Sequence, residues 1–214
     1  MLRLHGVYRS RAARNIWLLE EIGLPFDHVP VIQRYRLDDD KAAGRLHTQT
    51  DAFKALSPAA AIPVLEDGDL VLSESMAINL HLARAYGGDL GPRDERELAL
   101  MEQWSFHAIA GVEPLTLDVL YADQATEAGR AQVAAGAEKL RRPLAVVNEG
   151  LAGTGWLVGG RFTVADINMA EVVRYAMPAP GLIAEFPAVE DWITRLHRRP
   201  AFARMWAARE AEPS

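Results

Sequence analysis

The segment Ser73-Glu74-Ser75 lies where the sequence predicts that a strand gives way to a helix. The first turn of a helix offers free backbone N–H groups and the positive end of the helix dipole, which suit a bound carboxylate. The simpler interpretation is that Ser73 or Ser75 caps the helix and that Glu74 complements its dipole. Taken alone, the segment indicates either an anion site or an ordinary helix start.

A second feature is Ile62-Pro63, which lies at the start of a predicted strand. Proline has no backbone N–H, and a sheet tolerates it only at an edge or at the start of a strand. We expect a cis Ile62–Pro63 bond here, because it exposes the backbone of Ile62 to a ligand instead of to a neighbouring strand.

Several other kinds of site are excluded or unsupported. The chain has no cysteine, which excludes disulfides, cysteine-based zinc sites and a protein thiol nucleophile. None of its serines lies in a Gly-x-Ser-x-Gly nucleophile elbow, and its 6 histidines show no metal-type pairing, so we predict no metal. A net charge of −6 argues against nucleic acid or an anionic membrane as the main partner.

The composition is that of a soluble globular protein, with 50% hydrophobic and 24% charged residues in a chain of 214. No apolar run reaches the ~18 residues of a membrane span. The first residues lead directly into a predicted strand, and no signal peptide is recognisable. We therefore expect a cytoplasmic protein with no membrane segment.

The elements that must position these residues divide the chain near residue 90. Before this point strand and helix patterns alternate, with strands over 2–7, 26–32, 62–66 and 70–72 and helices over 12–22, 51–56 and 75–86. After it only helical patterns follow, over 93–122 and 124–151, from the capping box at 163–166, from residue 187 and over 201–208. The sequence predicts an α/β domain at 1–86 and an all-α domain at 92–210.

The order of these features resembles the glutathione S-transferase family, in its bacterial-type members. Phe53-Lys-Ala-Leu-Ser-Pro-Ala-Ala-Ala-Ile-Pro-Val-Leu-Glu-Asp-Gly68 is similar to the family's Phe-x-x-x-Asn-Pro-x-x-x-Val-Pro-x-Leu stretch. Gly159-Gly-Arg-Phe-Thr-Val-Ala-Asp-Ile167 is similar to the capping box of its all-α domain. The match extends over nearly the whole chain. It implies a thioredoxin-like N-terminal domain that binds glutathione as co-substrate, and a helical C-terminal domain that binds a small hydrophobic electrophile.

The resemblance also implies how glutathione is bound. Pro63 corresponds to the family's cis-proline, and the backbone of Ile62 beside it pairs with the cysteinyl part. Glu74 provides the counter-charge for the γ-glutamyl amine. Ser75 binds the γ-glutamyl carboxylate through its hydroxyl and its N–H at the helix start.

The glycyl end of glutathione is where the chain departs from the family pattern. Ala60-Ala61 stands where many members have Gly-Lys, so a basic contact to the glycyl carboxylate is missing. Gln49 is the first candidate to replace it. Arg34 and Arg36, in the long segment between the second strand and the next helix, are the others.

Family members activate the thiol with Tyr, Ser or Cys near the end of the first strand. Ser10 begins a Ser-x-x-x-Arg pattern with Arg14 that is similar to the serine-type classes. We favour Ser10 as the catalytic residue, because a helix N-terminus at that position aids a thiolate. Tyr8 is the alternative, and Arg11 flanks the site and adds positive potential beside glutathione. Capping of the first helix by Ser10 is compatible with catalysis.

Phe106 and His107, on the first long helix, are candidates for the electrophile pocket. The resemblance implies a homodimer, and the apolar residues Leu98, Met101 and Ile109 of the same helix are candidates for contact with the partner. The predicted function is a glutathione transferase that conjugates glutathione to small hydrophobic electrophiles in detoxification. The alternative is a non-catalytic glutathione transferase-like binding or regulatory protein.

Overall fold

The computed structural model describes residues 1–213 and contains two compact units. The first unit comprises Met1–Tyr86 together with the chain from Pro200 onward, and the second comprises Gly87–Arg199. Within the described residues, no helix is both long and apolar enough to cross a membrane.

The first unit is built on a four-stranded sheet in the order β2-β1-β3-β4. The strands are β1 (Leu2–His5), β2 (Asp27–Val29), β3 (Val64–Asp67) and β4 (Leu70–Ser73). β1 runs parallel to β2 and antiparallel to β3, and β4 pairs with β3 as a hairpin. This arrangement confirms the predicted thioredoxin-like fold, although β2 is shorter than the predicted strand over 26–32.

The α-helices of the first unit are α1 (Ala12–Ile22), α2 (Asp39–Ala42), α3 (Asp51–Leu56), α4 (Ser75–Tyr86) and α10 (Pro200–Ala211). α1 is the central one, and Ile16 and Leu19 on its predicted apolar face are buried. It ends at Gly23, whose φ of 71° is left-handed and whose N–H donates to the carbonyl of Leu19 at 2.9 Å. The predicted bounds and C-cap of this helix are confirmed.

The last helix, α10, belongs by its contacts to the first unit, whereas the sequence predicts it as the end of the all-α domain. The Phe202 ring lies edge-on to Trp17 of α1, with ring centroids 5.0 Å apart. Arg204 forms an ion pair with Glu20 at 2.8 Å. α1 is buried along most of its length, and α10 supplies part of that cover.

The second unit is helical, as predicted. Its helices are α5 (Glu95–Phe106), α6 (Glu113–Leu120), α7 (Glu127–Ala152), α8 (Val164–Val173) and α9 (Pro187–His197). α8 begins with the predicted capping box, in which Thr163 and Asp166 bond each other's backbone. Met101 is fully buried within this unit, so it is not available for the partner contact that the sequence suggested.

The single long helix predicted over 93–122 is wrong, because His107–Val112 forms a π-helical turn between α5 and α6. A Cβ on Gly111 would lie 2.9 Å from the His107 Nδ1 atom, so only glycine allows this close approach. Pro114 in the first turn of α6 has no N–H to continue a regular hydrogen-bond ladder. Gly111 and Pro114 are the sequence signals for the interruption.

Candidate functional site

The candidate site lies at one end of the first unit's sheet. His5 at the end of β1 pairs with Val64 at the start of β3, and Val64 pairs with Ser73 at the end of β4. The loop after β1, the segment before β3 and the junction after β4 therefore meet at the same end of the sheet. These three segments carry Ser10, Ile62-Pro63 and Glu74-Ser75.

At this end of the sheet, the segment around Ile62-Pro63 packs closely against Gly6. Gly6 has a φ of +151°, and a Cβ on it would lie 2.7 Å from the Ala12 Cβ and 3.7 Å from the Ile62 Cβ. The Ile62–Pro63 peptide bond is cis, as predicted. The segment before β3 thus lies directly against the loop that follows β1.

Ser10 lies in that loop, two residues before the start of α1. Its hydroxyl donates to the carbonyl of Val7 at 2.7 Å and accepts the N–H of Ala12 at 3.1 Å. The Oγ atom therefore accepts one of the free N–H groups of the helix start, although the residue at the N-cap position of α1 is Arg11 and not Ser10. It also sits at the positive end of the α1 dipole, where a nearby anion is favoured.

Tyr8 is half-buried in the same loop, and its ring lies edge-on to His28 with centroids 5.0 Å apart. Burial, followed by the negative charges of Glu20 and Glu212, raises the pKa of Tyr8 above its ordinary value. Its hydroxyl is therefore protonated at neutral pH. It can donate a hydrogen bond but does not act as a base.

Ser75 is buried at the start of α4 and belongs to a polar network with α1. Arg14, also fully buried, donates from Nη1 to the Ser75 Oγ atom at 3.1 Å. Asn15 donates to the Ser75 carbonyl at 2.8 Å and to the Asn79 Oδ1 atom at 2.7 Å. These contacts fix the Ser75 side chain. Because Arg14 donates to Oγ, the hydroxyl proton of Ser75 can be donated to a ligand.

The surroundings of Glu74 are unlike those of the buried, hydrogen-bonded Ser75. Glu74 is exposed and has a φ of 70°, a left-handed conformation that costs a non-glycine residue about 1–2 kcal/mol. Among residues 1–213, no cation and no hydrogen-bond donor contacts its carboxylate. A carboxylate held in a strained conformation without a protein partner is suited to bind a ligand cation.

A cavity of about 450 Å³ opens beside these segments. Arg11, Gln49 and Ile62, three of the predicted glutathione contacts, line it together with Ala60 and Ala61. Arg34 also lines it, but its guanidinium bonds the Asp39 carboxylate and the Leu37 carbonyl. Arg36 does not line it and donates instead to the carbonyl of Arg9 at 3.2 Å. Gln49 is the best placed of the candidates for the glycyl end.

Phe106 and His107 lie in the second unit. Phe106, at the end of α5, is 67% exposed. His107 opens the π-helical turn, and its ring lies edge-on to Trp104 at 5.9 Å between centroids. Its Nε2 atom is buried and has no hydrogen-bond partner within residues 1–213.

The sequence did not reveal the side chains that hold the loop after β1. Glu212 near the end of the chain accepts hydrogen bonds from the backbone N–H groups of Tyr8 and Arg9. Arg209 donates to the Tyr8 carbonyl. No sequence pattern links residues so far apart. In contrast, Arg14 and Asn15 lie in the first turns of α1 beside apolar residues, and both are buried.

Outside this end of the sheet, neither a second cavity nor a metal-binding cluster offers a comparable site among residues 1–213. A cavity of about 510 Å³ in the second unit is lined by Arg130, Glu138 and Arg141, among others. Arg141 pairs with Glu138 and Glu185, and Arg130 donates to the backbone carbonyls of Gln124 and Ala125. In the part of the chain that the structure describes, no group of three or more His, Asp or Glu residues could hold a metal ion.

Comparisons with known proteins match both units. The model of the glutathione S-transferase N-terminal domain matches residues 4–90, and that of the C-terminal domain matches residues 104–200. Glutathione S-transferase 3 of Zea mays is 36% identical over 219 residues, which cover 97% of this chain and 94% of that protein.

Solved structures of glutathione transferases are also similar to this chain. Glutathione transferase F7 from Populus trichocarpa is 26% identical, with a TM-score of 0.80 over 98% of this chain and 99% of that one. A theta class glutathione S-transferase from the citrus canker pathogen Xanthomonas axonopodis pv. citri, solved with glutathione bound, is 28% identical, with a TM-score of 0.78 over 95% of each chain. The chain belongs to the glutathione S-transferase family.

Proposed function

We propose that this protein is a glutathione transferase that conjugates glutathione to small hydrophobic electrophiles through an activated glutathione thiolate. The observation that carries the proposal is the meeting of Ser10, Ile62-Pro63 and Glu74-Ser75 at one end of the sheet, with Glu74 strained and without a partner among residues 1–213. The relation to the maize transferase over nearly the whole chain supports the same reaction.

The γ-glutamyl end of glutathione binds at the start of α4. Glu74 provides the counter-charge for the ammonium group, which must be paired when it leaves water. Ser75 donates its hydroxyl proton to the carboxylate, because Arg14 already donates to its oxygen. The free N–H groups of the α4 start favour the same carboxylate.

The remainder of glutathione extends from this end toward the cavity. The backbone of Ile62, beside Pro63, pairs with the cysteinyl part. Arg11 and Gln49 contact the glycyl end, which has no lysine at Ala60-Ala61 to bind it. The position of Arg11, Gln49 and Ile62 around one cavity supports this order.

Ser10 activates the thiol. A free cysteine-like thiol has a pKa of ~8.5, so only a few per cent is thiolate at pH 7. Rotation about its side-chain bond turns the Ser10 O–H from the Val7 carbonyl to the glutathione sulfur. The thiol proton leaves to solvent, the sulfur forms a bond to the electrophilic carbon, and the leaving group departs with its bonding electrons. Tyr8 is the alternative donor.

The electrophile binds in the second unit, with Phe106 and His107 as the candidate contacts. The exposure of the Phe106 ring supports this assignment. We place the protein in the cytoplasm, because glutathione is kept in its reduced thiol form there. Cell fractionation tests that location.

The protein also forms a homodimer. β4 is an edge strand of the sheet, and its Leu70 and Val71 side chains are 39% and 47% exposed. Exposed apolar residues on an edge strand favour association, and a stable interface is expected to bury more than about 1,000 Å². Light scattering at micromolar concentration should report twice the chain mass, and a monomer would contradict the proposal.

One experiment tests the reaction itself. The protein is applied to immobilised glutathione and assayed for turnover of a chloro-nitroaromatic substrate with free glutathione. Retention together with turnover supports the transferase. Retention without turnover of any electrophile tested would favour the non-catalytic binding protein.

A further inference from the structure

The loop that carries Ser10 is held by a carboxylate from the far end of the chain. Glu212 accepts the backbone N–H of Tyr8 on one carboxylate oxygen and that of Arg9 on the other, each at 2.8 Å. Hydrogen bonds from N–H groups to an ionised carboxylate are about twice as strong as neutral ones. The two residues so bound directly precede Ser10.

The contact is reciprocal. Arg209 donates from its guanidinium to the carbonyl of Tyr8. Arg9 donates from its guanidinium to the carbonyls of Arg209 at 3.1 Å and Glu210 at 3.2 Å. The last carbonyls of a helix have no partner within it, so Arg9 completes the end of α10 while α10 completes the loop.

The backbone of Tyr8 and Arg9 lies outside the regular hydrogen-bond ladders of sheet and helix. Of its four polar groups, three bond Arg209 or Glu212, and the fourth, the Arg9 carbonyl, accepts from Arg36 at 3.2 Å. Since backbone polar groups need partners, the conformation of this loop depends on the C-terminal residues.

We infer that Glu212 is a positioning residue, which aims the Ser10 hydroxyl at the glutathione thiolate by fixing the backbone of Tyr8 and Arg9. The inference rests on the proposed function. The charge of Glu212 acts in the opposite direction, because a carboxylate near the sulfur disfavours a second anion. The positioning effect and the charge effect of Glu212 therefore predict changes of opposite sign when the carboxylate is removed.

Glu212→Gln is the test variant and Glu210→Gln its matched control. Glutamine keeps the size of Glu212 but turns an NH₂ group toward one of the two N–H donors. The Glu210 carboxylate accepts from the Trp206 indole at 2.8 Å, within α10 itself, so the control removes the same charge from the same segment without disturbing the loop.

Three quantities are measured on the intact protein: kcat and KM for glutathione across pH, the ultraviolet absorbance of the bound thiolate, and hydrogen exchange of the Tyr8 and Arg9 amides. For Glu212→Gln we expect kcat at neutral pH to fall about 10-fold, since small misplacements of a catalytic group are costly. The bound-thiol pKa should rise, exchange of the two amides should accelerate, and KM should stay within about 2-fold. Glu210→Gln should match the wild type.

Two results would overturn the inference while leaving the proposed function intact. The first is a kcat for Glu212→Gln that equals or exceeds that of the wild type, with a lowered thiol pKa, because Glu212 would then act only through its charge. The second is unchanged amide exchange, which would mean that the carboxylate does not hold the loop. A wild-type protein without thiolate absorbance and without turnover would overturn the proposed function as well.

Discussion

Asp166 and Glu74 are both carboxylates at helix starts, and their surroundings are opposite. Asp166, in the first turn of α8, is buried and accepts from the backbone N–H groups of Thr163 at 2.9 Å and Leu157 at 3.2 Å and from the indole of Trp192 at 2.9 Å. Glu74, immediately before α4, is exposed, has a left-handed backbone and contacts no donor within residues 1–213.

The difference separates a structural role from a functional one. A buried carboxylate whose oxygens are all bonded stabilises the fold, because removing it leaves its donors unsatisfied. A strained carboxylate without a partner lowers the free energy of unfolding, and such strain is concentrated at ligand-binding and active sites. Substitutions at Asp166 should therefore change stability without changing glutathione affinity, and substitutions at Glu74 should do the reverse.

Asp166→Ala should have the largest effect. It leaves the N–H groups of Leu157 and Thr163 and the indole of Trp192 without their acceptor, at about 1–3 kcal/mol for each buried group. We expect the free energy of unfolding to fall by about 3–5 kcal/mol in urea denaturation. Glutathione affinity, measured by calorimetry where the variant is folded, should stay within about 2-fold. A loss of affinity in the folded variant would break the comparison.

The pH dependence of stability tests the same residue. Burial raises the pKa of Asp166 to about 6, so the folded chain holds this proton more tightly than the unfolded chain. Its contribution to stability is therefore lost as pH rises from ~4 to ~6. Burial lowers the pKa of His197 to about 4, and the positive charge of Arg174 adds to this shift while Glu171 opposes it. The contribution of His197 is lost as pH falls from ~6.5 to ~4.

These two slopes oppose each other in the wild type. Asp166→Asn removes the first, so its free energy of unfolding should rise from pH ~4 to ~6.5 more steeply than that of the wild type. Urea denaturation at several pH values in this window measures both slopes. Equal slopes in the two proteins would show that Asp166 does not titrate there, and His197→Phe should tilt the dependence the other way.

Glu74→Ala should weaken glutathione binding by about 2–3 kcal/mol, or roughly 30–150-fold in Kd, the scale of a lost charge-assisted contact. Calorimetric titration measures it, and Glu74→Gln controls for the size of the side chain. Glu74→Gly should bind glutathione as poorly as Glu74→Ala. Its free energy of unfolding should be about 1 kcal/mol higher than that of Glu74→Ala, because glycine adopts the left-handed conformation without strain. Unchanged affinity in all three would leave Glu74 only a helix-dipole role.

Ser10→Ala should lower kcat at neutral pH by about 10–100-fold and leave glutathione affinity nearly unchanged. The reason is that the proposed function gives Ser10 the stabilisation of the thiolate and gives Glu74 and Ser75 the binding of glutathione. The bound-thiol pKa, read from thiolate absorbance in a pH titration, should rise. Tyr8→Phe is the matched control and should have a smaller effect. If Ser10→Ala keeps full activity and Tyr8→Phe abolishes it, the tyrosine is the activator.

Local sequence signals predicted much of this fold. The bounds of α1, its C-cap at Gly23, the hairpin of β3 and β4 and the capping box of α8 follow from helical period, turn residues and cap residues close together in the chain. The π-helical turn contradicts the helical period over 93–122, and only Gly111 and Pro114 mark it in the sequence.

Other features carry no local signal. The contact of Glu212 with Tyr8 joins residues 204 positions apart. α10 packs on the first unit through apolar side chains such as Phe202, and apolar side chains of this kind occur on most helices. The left-handed backbone of Glu74 was also not predictable, since sequence rules reserve that conformation for glycine. The residues of the candidate site were thus named from the sequence, but their strain and support were not.

Gln49 should show a small effect, because its side chain is exposed and uncharged. Gln49→Ala should raise the Kd for glutathione by about 2–10-fold, the scale of one neutral-to-charged hydrogen bond, with kcat unchanged. The sharper measurement uses γ-glutamylcysteine, which lacks the glycyl residue. Its affinity should be the same for Gln49→Ala and the wild type, while Glu74→Ala should weaken the binding of both ligands.

Arg34→Ala distinguishes Arg34 from Gln49 as the residue that binds the glycyl carboxylate. Its guanidinium already bonds Asp39 and the Leu37 carbonyl, so a ligand must compete with partners within the chain, and we expect an effect smaller than that of Gln49→Ala. This is the same rule that distinguishes Asp166 from Glu74: a polar side chain whose bonds are already made within the chain contributes to the fold before it contributes to a ligand. A larger loss for Arg34→Ala, absent with γ-glutamylcysteine, would assign the glycyl carboxylate to Arg34 and limit that rule to buried groups.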